Sequence, residues 1–120
     1  MKQSIARKWA AALDSGEYKQ GQDYLRHGNK FCCLAVLCNL HAQAHPEIAA
    51  EEKSKGTYLG ESHFLPEEVQ DWSGMGSSDG LIPKVVVKGE SYGELTALND
   101  VAKLTFPEIA KIIRKHWKEL

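Results

Sequence analysis

The residues best equipped for covalent chemistry in this chain sit in one run, Phe31-Cys32-Cys33-Leu34-Ala35-Val36-Leu37-Cys38. A cysteine that opens a helix has its thiolate stabilised by the N-terminal end of the helix dipole, and Cys33 is placed to open one. A cysteine-dependent hydrolase or transferase built on Cys33 also needs a base. His63 and His116 are the imidazoles on offer, neither within a recognisable signature. The bland reading is stronger, because free cysteines are among the most buried residues and this run is apolar on every side. No catalytic residue is therefore expected, with Cys33 the alternative. Cys38, His41 and His45 fall at i, i+3 and i+7, one face of a helix, where two imidazoles on adjacent turns can share a Zn²⁺ ion. A closed site needs a fourth ligand, and Cys38 lies in a stretch that must pack. No metal and no cofactor is expected, and these three residues are the alternative.

Groups suited to non-covalent recognition gather at two turns. Tyr18, Gln20, Gln22 and Arg26 surround Gly21, and Asn99-Asp100 sits in a second turn. Loops present such side chains to ligands. The competing reading is that Gln20 and Asp100 satisfy backbone groups of their own fold.

Other chemistries find no support. Neither G-x-G-x-x-G nor G-x-x-x-x-G-K-[ST] occurs, and the glycines at 74–80 lack the lysine of a phosphate loop. Glu67 and Glu68 are neighbours, so on a helix they diverge by about 100° and cannot act as an acid and base pair on one substrate. A calcium loop counted from Asp100 would end on Lys111 where a bidentate Glu is required. Residues 95–110 resemble the opening of a helix-turn-helix, but the second helix begins Phe106-Pro107-Glu108 and carries its lysines at the far end, away from any groove. A helical hairpin closing the core is the better reading.

The elements that must position these groups follow from periodicity. Ile5, Trp9 and Leu13 at four-residue steps predict an amphipathic helix over 3–15, with Gly16 as its left-handed cap. Residues 24–32 predict a hairpin around His27-Gly28-Asn29, and the apolar run from Cys33 to about Ala44, before Pro46, predicts a buried helix. Residues 46–62 are polar and read as a loop with at most one helical turn, most solvated at 51–56. Leu65, Val69 and Trp72 share a face of a two-turn helix with Pro66 at its first position, and the Gly- and Ser-rich stretch 73–80 reads as a flexible loop. Lys84-Val85-Val86-Val87-Lys88 is the best strand, with Pro83 marking a start or an edge. Ser91 with Glu94, and Thr105 with Glu108, each match the capping-box pattern and predict two helix starts. The last helix gains Leu104 and Ile109 as a staple and should turn Phe106, Ile109, Ile113 and Trp117 into the core.

These elements sum to an α+β fold: four or so helices packed with a small, mostly antiparallel sheet or hairpin around a single core, residues 1–120 forming one domain. The 42% hydrophobic and 26% charged content is the ordinary globular balance, so the chain has apolar surface enough to fold. Fifteen Lys and Arg against 16 Asp and Glu give no global field for a polyanion. A nucleic-acid partner is accordingly disfavoured, although a local basic patch stays compatible with this balance. The N-terminus lacks the apolar run of a secretory signal, no segment approaches the roughly 18 apolar residues of a membrane span, and three cysteines in one apolar stretch suit a reducing compartment. A cytoplasmic location, in a bacterium or an infected host cell, is expected, with no membrane partner.

Several motifs taken together carry a resemblance. Lys8-Trp9 with Leu13-Asp14-Ser15-Gly16-Glu17-Tyr18-Lys19-Gln20-Gly21, Phe31-Cys32-Cys33-Leu34-Ala35-Val36-Leu37-Cys38, Leu65-Pro66 with Val69 and Trp72, and Leu98-Asn99-Asp100 with Thr105-Phe106-Glu108-Ile109-Ala110 span most of the chain. They resemble a family of small uncharacterised bacteriophage and prophage proteins marked by S-G-x-Y-x-Q-G, F-C-C-L-x-V-L-C and L-N-D…F-x-E-I-A, with Ala35 where that family usually has Gly. The resemblance implies a phage setting and carries over no activity or catalytic residue. The reading that results is a non-catalytic binding or interaction module. It would be a phage accessory protein that engages a host protein, as in antagonism of host defence, or sequesters a small molecule. A homo-oligomer is compatible with it.

Overall fold

Helix α1 (Gln3–Asp14) buries Ile5, Ala6, Trp9, Ala10 and Leu13, the stripe that four-residue spacing places on one face. The computed structural model describes residues 1–48 and 56–120, and among them one continuous core cluster runs from Ile5 to Leu120. Beyond the turn at Gly16, three two-residue strands, β1 (Lys19–Gln20), β2 (Arg26–His27) and β3 (Lys30–Phe31), form a sheet in the order β1-β3-β2. β2 and β3 are the antiparallel hairpin that the sequence predicts, and β1 adds to it in parallel. Helix α2 (Cys33–Ala44) follows at once and is buried almost all round, as an apolar run of that length requires.

Of the polar stretch that the sequence assigns to a loop, residues 46–48 are helical and Tyr58 pairs with Glu61 across a tight turn. Residues 49–55, which include most of the stretch expected to be most solvated, lie outside the described residues. Helix α3 (Glu67–Ser73) has Pro66 as its N-cap, one position earlier than expected, and buries Val69. The stretch 73–80, expected to be flexible from its composition, is instead tied down by backbone bonds. Lys2 N–H donates to Ser73 O (2.8 Å), Leu65 N–H to Ser78 O (2.8 Å) and Gly76 N–H to Leu120 O (2.8 Å), while Ser77 Oγ accepts from the Gly80 and Leu81 N–H groups.

Strands β4 (Leu81–Val87) and β5 (Glu90–Glu94) form a second, two-stranded antiparallel sheet with a register shift between Leu81 and Val85, around Pro83. This corrects the helix start expected at Ser91. Lys88 and Gly89 both take positive φ, 50° and 83°, which is the two-residue turn whose twist suits a hairpin, and it folds Ser91 back onto Val86 as a strand. Helix α4 (Leu95–Asp100) begins only after Glu94, which is extended and makes no side-chain cap bond.

The second capping box forms as predicted. At the start of helix α5 (Phe106–His116), the Glu108 N–H donates to Thr105 Oγ1 and the Thr105 N–H to Glu108 Oε1 (3.1 Å). These bonds hold the Glu108 carboxyl below its usual range. α5 lies along α1, with Arg114 bridged to Asp14 at 2.6 Å, and turns Phe106, Ile109, Ala110 and Ile113 inward. Trp117, the C-cap of α5, also packs against the core, but it is only partly buried and has the Lys118 ammonium over its ring.

Candidate functional site

Asn99, fully buried at the last turn of α4, is the hub of a polar network. Its Oδ1 accepts from Gln20 Nε2 (2.9 Å) and from the Cys33 N–H (3.3 Å), and its Nδ2 donates to Gly21 O (2.9 Å) and Asp100 Oδ1 (2.7 Å). Gln20 Nε2 also donates to Leu104 O (2.8 Å). One buried amide thus joins β1, the N-terminus of α2, α4 and the segment leading into α5. Four bonds satisfy its full donor and acceptor capacity, which removes the penalty of burying it. The structure therefore brings Gln20, Asn99 and Asp100 together from the two predicted turns, and the hydrogen-bonding groups of Gln20 and Asn99 point into the fold.

The rest of the expected binding set lies to one side of this network. Tyr18, half-buried, packs edge-on against Phe31 (ring centroids 5.3 Å apart), and its hydroxyl accepts from Asn39 Nδ2 (2.5 Å). Arg26 lays its guanidinium over the Phe31 ring at 5.1 Å and donates from Nε to Gly28 O. Gln22 is half-buried beside them.

The cysteines are sealed. Cys32, Cys33 and Cys38 are all buried thiols, and Cys33 has no exposed surface. Desolvation pushes Cys32 up to about 11 and holds Cys33 and Cys38 well above the ordinary thiol range, with the neighbouring Cys32 and Asp100 adding to the effect at Cys33. The Cys33 N–H at the helix N-terminus, which the alternative reading needs for activating Cys33, is spent on the Asn99 amide, and Cys33 O accepts from Trp9 Nε1 (2.8 Å). The two candidate bases lie in other company: His63 with Ser62, Tyr24 and Phe64, and His116 with Glu119.

His41 and His45 stack with ring centroids 4.2 Å apart, and Trp72 stands edge-on to both. His41 Nδ1 shares a 2.7 Å hydrogen bond with Tyr58 Oη, and His45 Nδ1–H donates to His41 O. Burial, then the nearby His45, lower the His41 pKa, against a smaller opposing effect of Glu68 and Glu47. Among the described residues no three His, Cys, Asp or Glu side chains converge as metal ligands, so Cys38, His41 and His45 are not gathered into a site. Leu59, Pro66 and the carboxylates Glu61, Glu67, Glu68 and Asp71 line a shallow open dent nearby.

A surface that sequence reasoning missed runs across the three-stranded sheet. In the pairing register Lys19 stands opposite Lys30, and Lys30 opposite His27, and all three are exposed, whereas the alternate row Gln20, Phe31 and Arg26 is half-buried. Beyond His27 the rings continue: Tyr24 at 5.9 Å, His63 at 4.8 Å from Tyr24, and Phe64 at 6.5 Å from His63. Tyr24 and Phe64 remain 48% and 49% exposed, which makes the patch unusual for two large rings. The Leu25 N–H donates to Ser62 O (2.7 Å), and this bond places residues 62–64 beside β2. The signal that could have found the surface is the isolation of these aromatics. Tyr24 flanks the single inward residue Leu25, and Phe64 ends a polar stretch without an apolar partner at strand or helix spacing.

Comparison with known proteins gives one family model, described as a domain of unknown function (DUF8296), that matches residues 1–117. No curated protein and no solved structure matches.

Proposed function

The chain belongs to the DUF8296 family, and from that premise we propose that it is a non-catalytic binding module whose working surface is the face shared by β1, β2, β3 and residues 62–64. The observation that carries this reading is the row of exposed rings His27, Tyr24, His63 and Phe64 on two segments joined by the Leu25 N–H to Ser62 O bond. Large aromatics left in water on a rigid support are what binding hot spots are made of. The phage setting implied by the sequence motifs favours a host component as partner, met in the cytoplasm. No helix among the described residues is long and apolar enough to cross a membrane.

The test is capture from host lysate by wild-type protein and by the Tyr24→Ala, Phe64→Ala double variant, with protein, nucleic-acid and small-molecule fractions all analysed. The expected result is a component held by wild type and lost by a variant of unchanged melting temperature. Identical captured sets would overturn the reading.

A further inference from the structure

We infer that this surface is a platform for single-stranded nucleic acid, an assignment that rests on the face being the working surface. Lys19 and Lys30 face each other directly across paired strands, an arrangement of like charges that destabilises a sheet by itself. Among the described residues neither ammonium has a carboxylate within ion-pairing distance. Gly21 keeps Lys30 in this position: a Cβ at residue 21 would stand 2.8 Å from the Lys30 Cβ, so the lysine stem rests against bare backbone. Two uncompensated cations side by side suit the phosphates of one strand.

The rings supply the second half of the recognition. From His27 through Tyr24 and His63 to Phe64, successive centroids are 5.9, 4.8 and 6.5 Å apart, so a run of unpaired bases can meet one ring after another. Paired bases would hide the faces that such rings stack on. The chain's near-neutral total charge does not oppose such binding, because the field that matters is local. The face is open and shallow, which favours an extended ligand making several contacts over a single small molecule.

The experiment is fluorescence anisotropy with labelled oligothymidylate and oligouridylate of about 12 nucleotides, within the usual site size for such platforms. Saturable binding at low salt is expected, with a log–log salt slope of about −1.4 for two phosphates contacted on a single strand. Tyr24→Ala or Phe64→Ala should weaken it by roughly 5- to 150-fold, the range for one lost base stack. Lys19→Gln with Lys30→Gln should flatten the salt slope, whereas Lys115→Ala on the outer side of α5 should leave binding unchanged. A duplex or polyglutamate bound as tightly as the single strands, or ring variants that bind like wild type, would overturn the proposal. Lysate capture separates the two levels. A protein lost only by the Tyr24 and Phe64 variant, after nuclease treatment, sinks the nucleic-acid assignment and leaves the binding surface standing.

Discussion

The Asn99 network and the Tyr24–Phe64 surface invert what their residue types lead one to expect. Asn99 and Gln20 carry amides that could greet a ligand, and they face inward to bond the fold's own backbone. Tyr24 and Phe64 carry large apolar rings that could fill a core, and they stand in water. A residue's chemistry states what it can do, and only its orientation states for whom. The inward polar group is a stability device, and the outward ring is an unspent contact.

That contrast can be broken by thermodynamics. The largest loss is expected at Trp9, fully buried and hydrogen-bonded to Cys33 O: Trp9→Ala should cost about 3–5 kcal/mol in urea denaturation. Asn99→Ala comes next at about 2–3 kcal/mol, since it strands the buried Cys33 N–H and Gly21 O. A Gln20→Ala, Asn99→Ala cycle should show coupling of about 0.5–3 kcal/mol, and a cycle without coupling would mean that the network is not a unit.

A smaller effect depends on pH. The His41 pKa is lowered in the fold from its ordinary 6.5, so the native state binds fewer protons than the unfolded chain below that value. Its contribution is therefore complete above about pH 6.5 and is lost as pH falls through the lowered pKa. Wild type should lose more stability than His41→Gln between about pH 7 and about pH 5, and parallel losses would remove His41 as the cause. The smallest effect belongs to the other region. Tyr24→Ala and Phe64→Ala should each change stability by less than about 0.5 kcal/mol, and a larger cost would make these rings structural.

What could be read from the sequence was local. The Thr105–Glu108 box, the α2 run and the β2–β3 hairpin depend on residues within a few positions of one another, and they form where expected. Ser91 with Glu94 shows the limit of such reading. The same pattern gave no helix there because Lys88-Gly89 had already committed the chain to a hairpin, and a two-residue turn outranks a cap that lacks a helix behind it. Asn99 was visible as a polar group and opaque in its role, since its partners Cys33, Gly21 and Gln20 lie 66, 78 and 79 residues away. The ring surface was hidden for a similar reason: His63 and Tyr24 meet only through the pairing of Leu25 with Ser62.

Those same separations set the order of events in time. A bond between Gln20 and Asn99, or between Gln20 and the Leu104 carbonyl 84 residues on, closes a loop of most of the chain, and the entropy of that closure is lost before the bond returns anything. The network is therefore expected to close after the local helices and the β4–β5 hairpin have formed. Breaking it acts mainly on the rate at which the finished molecule comes apart, and Asn99 is in that sense the catch that sets its lifetime.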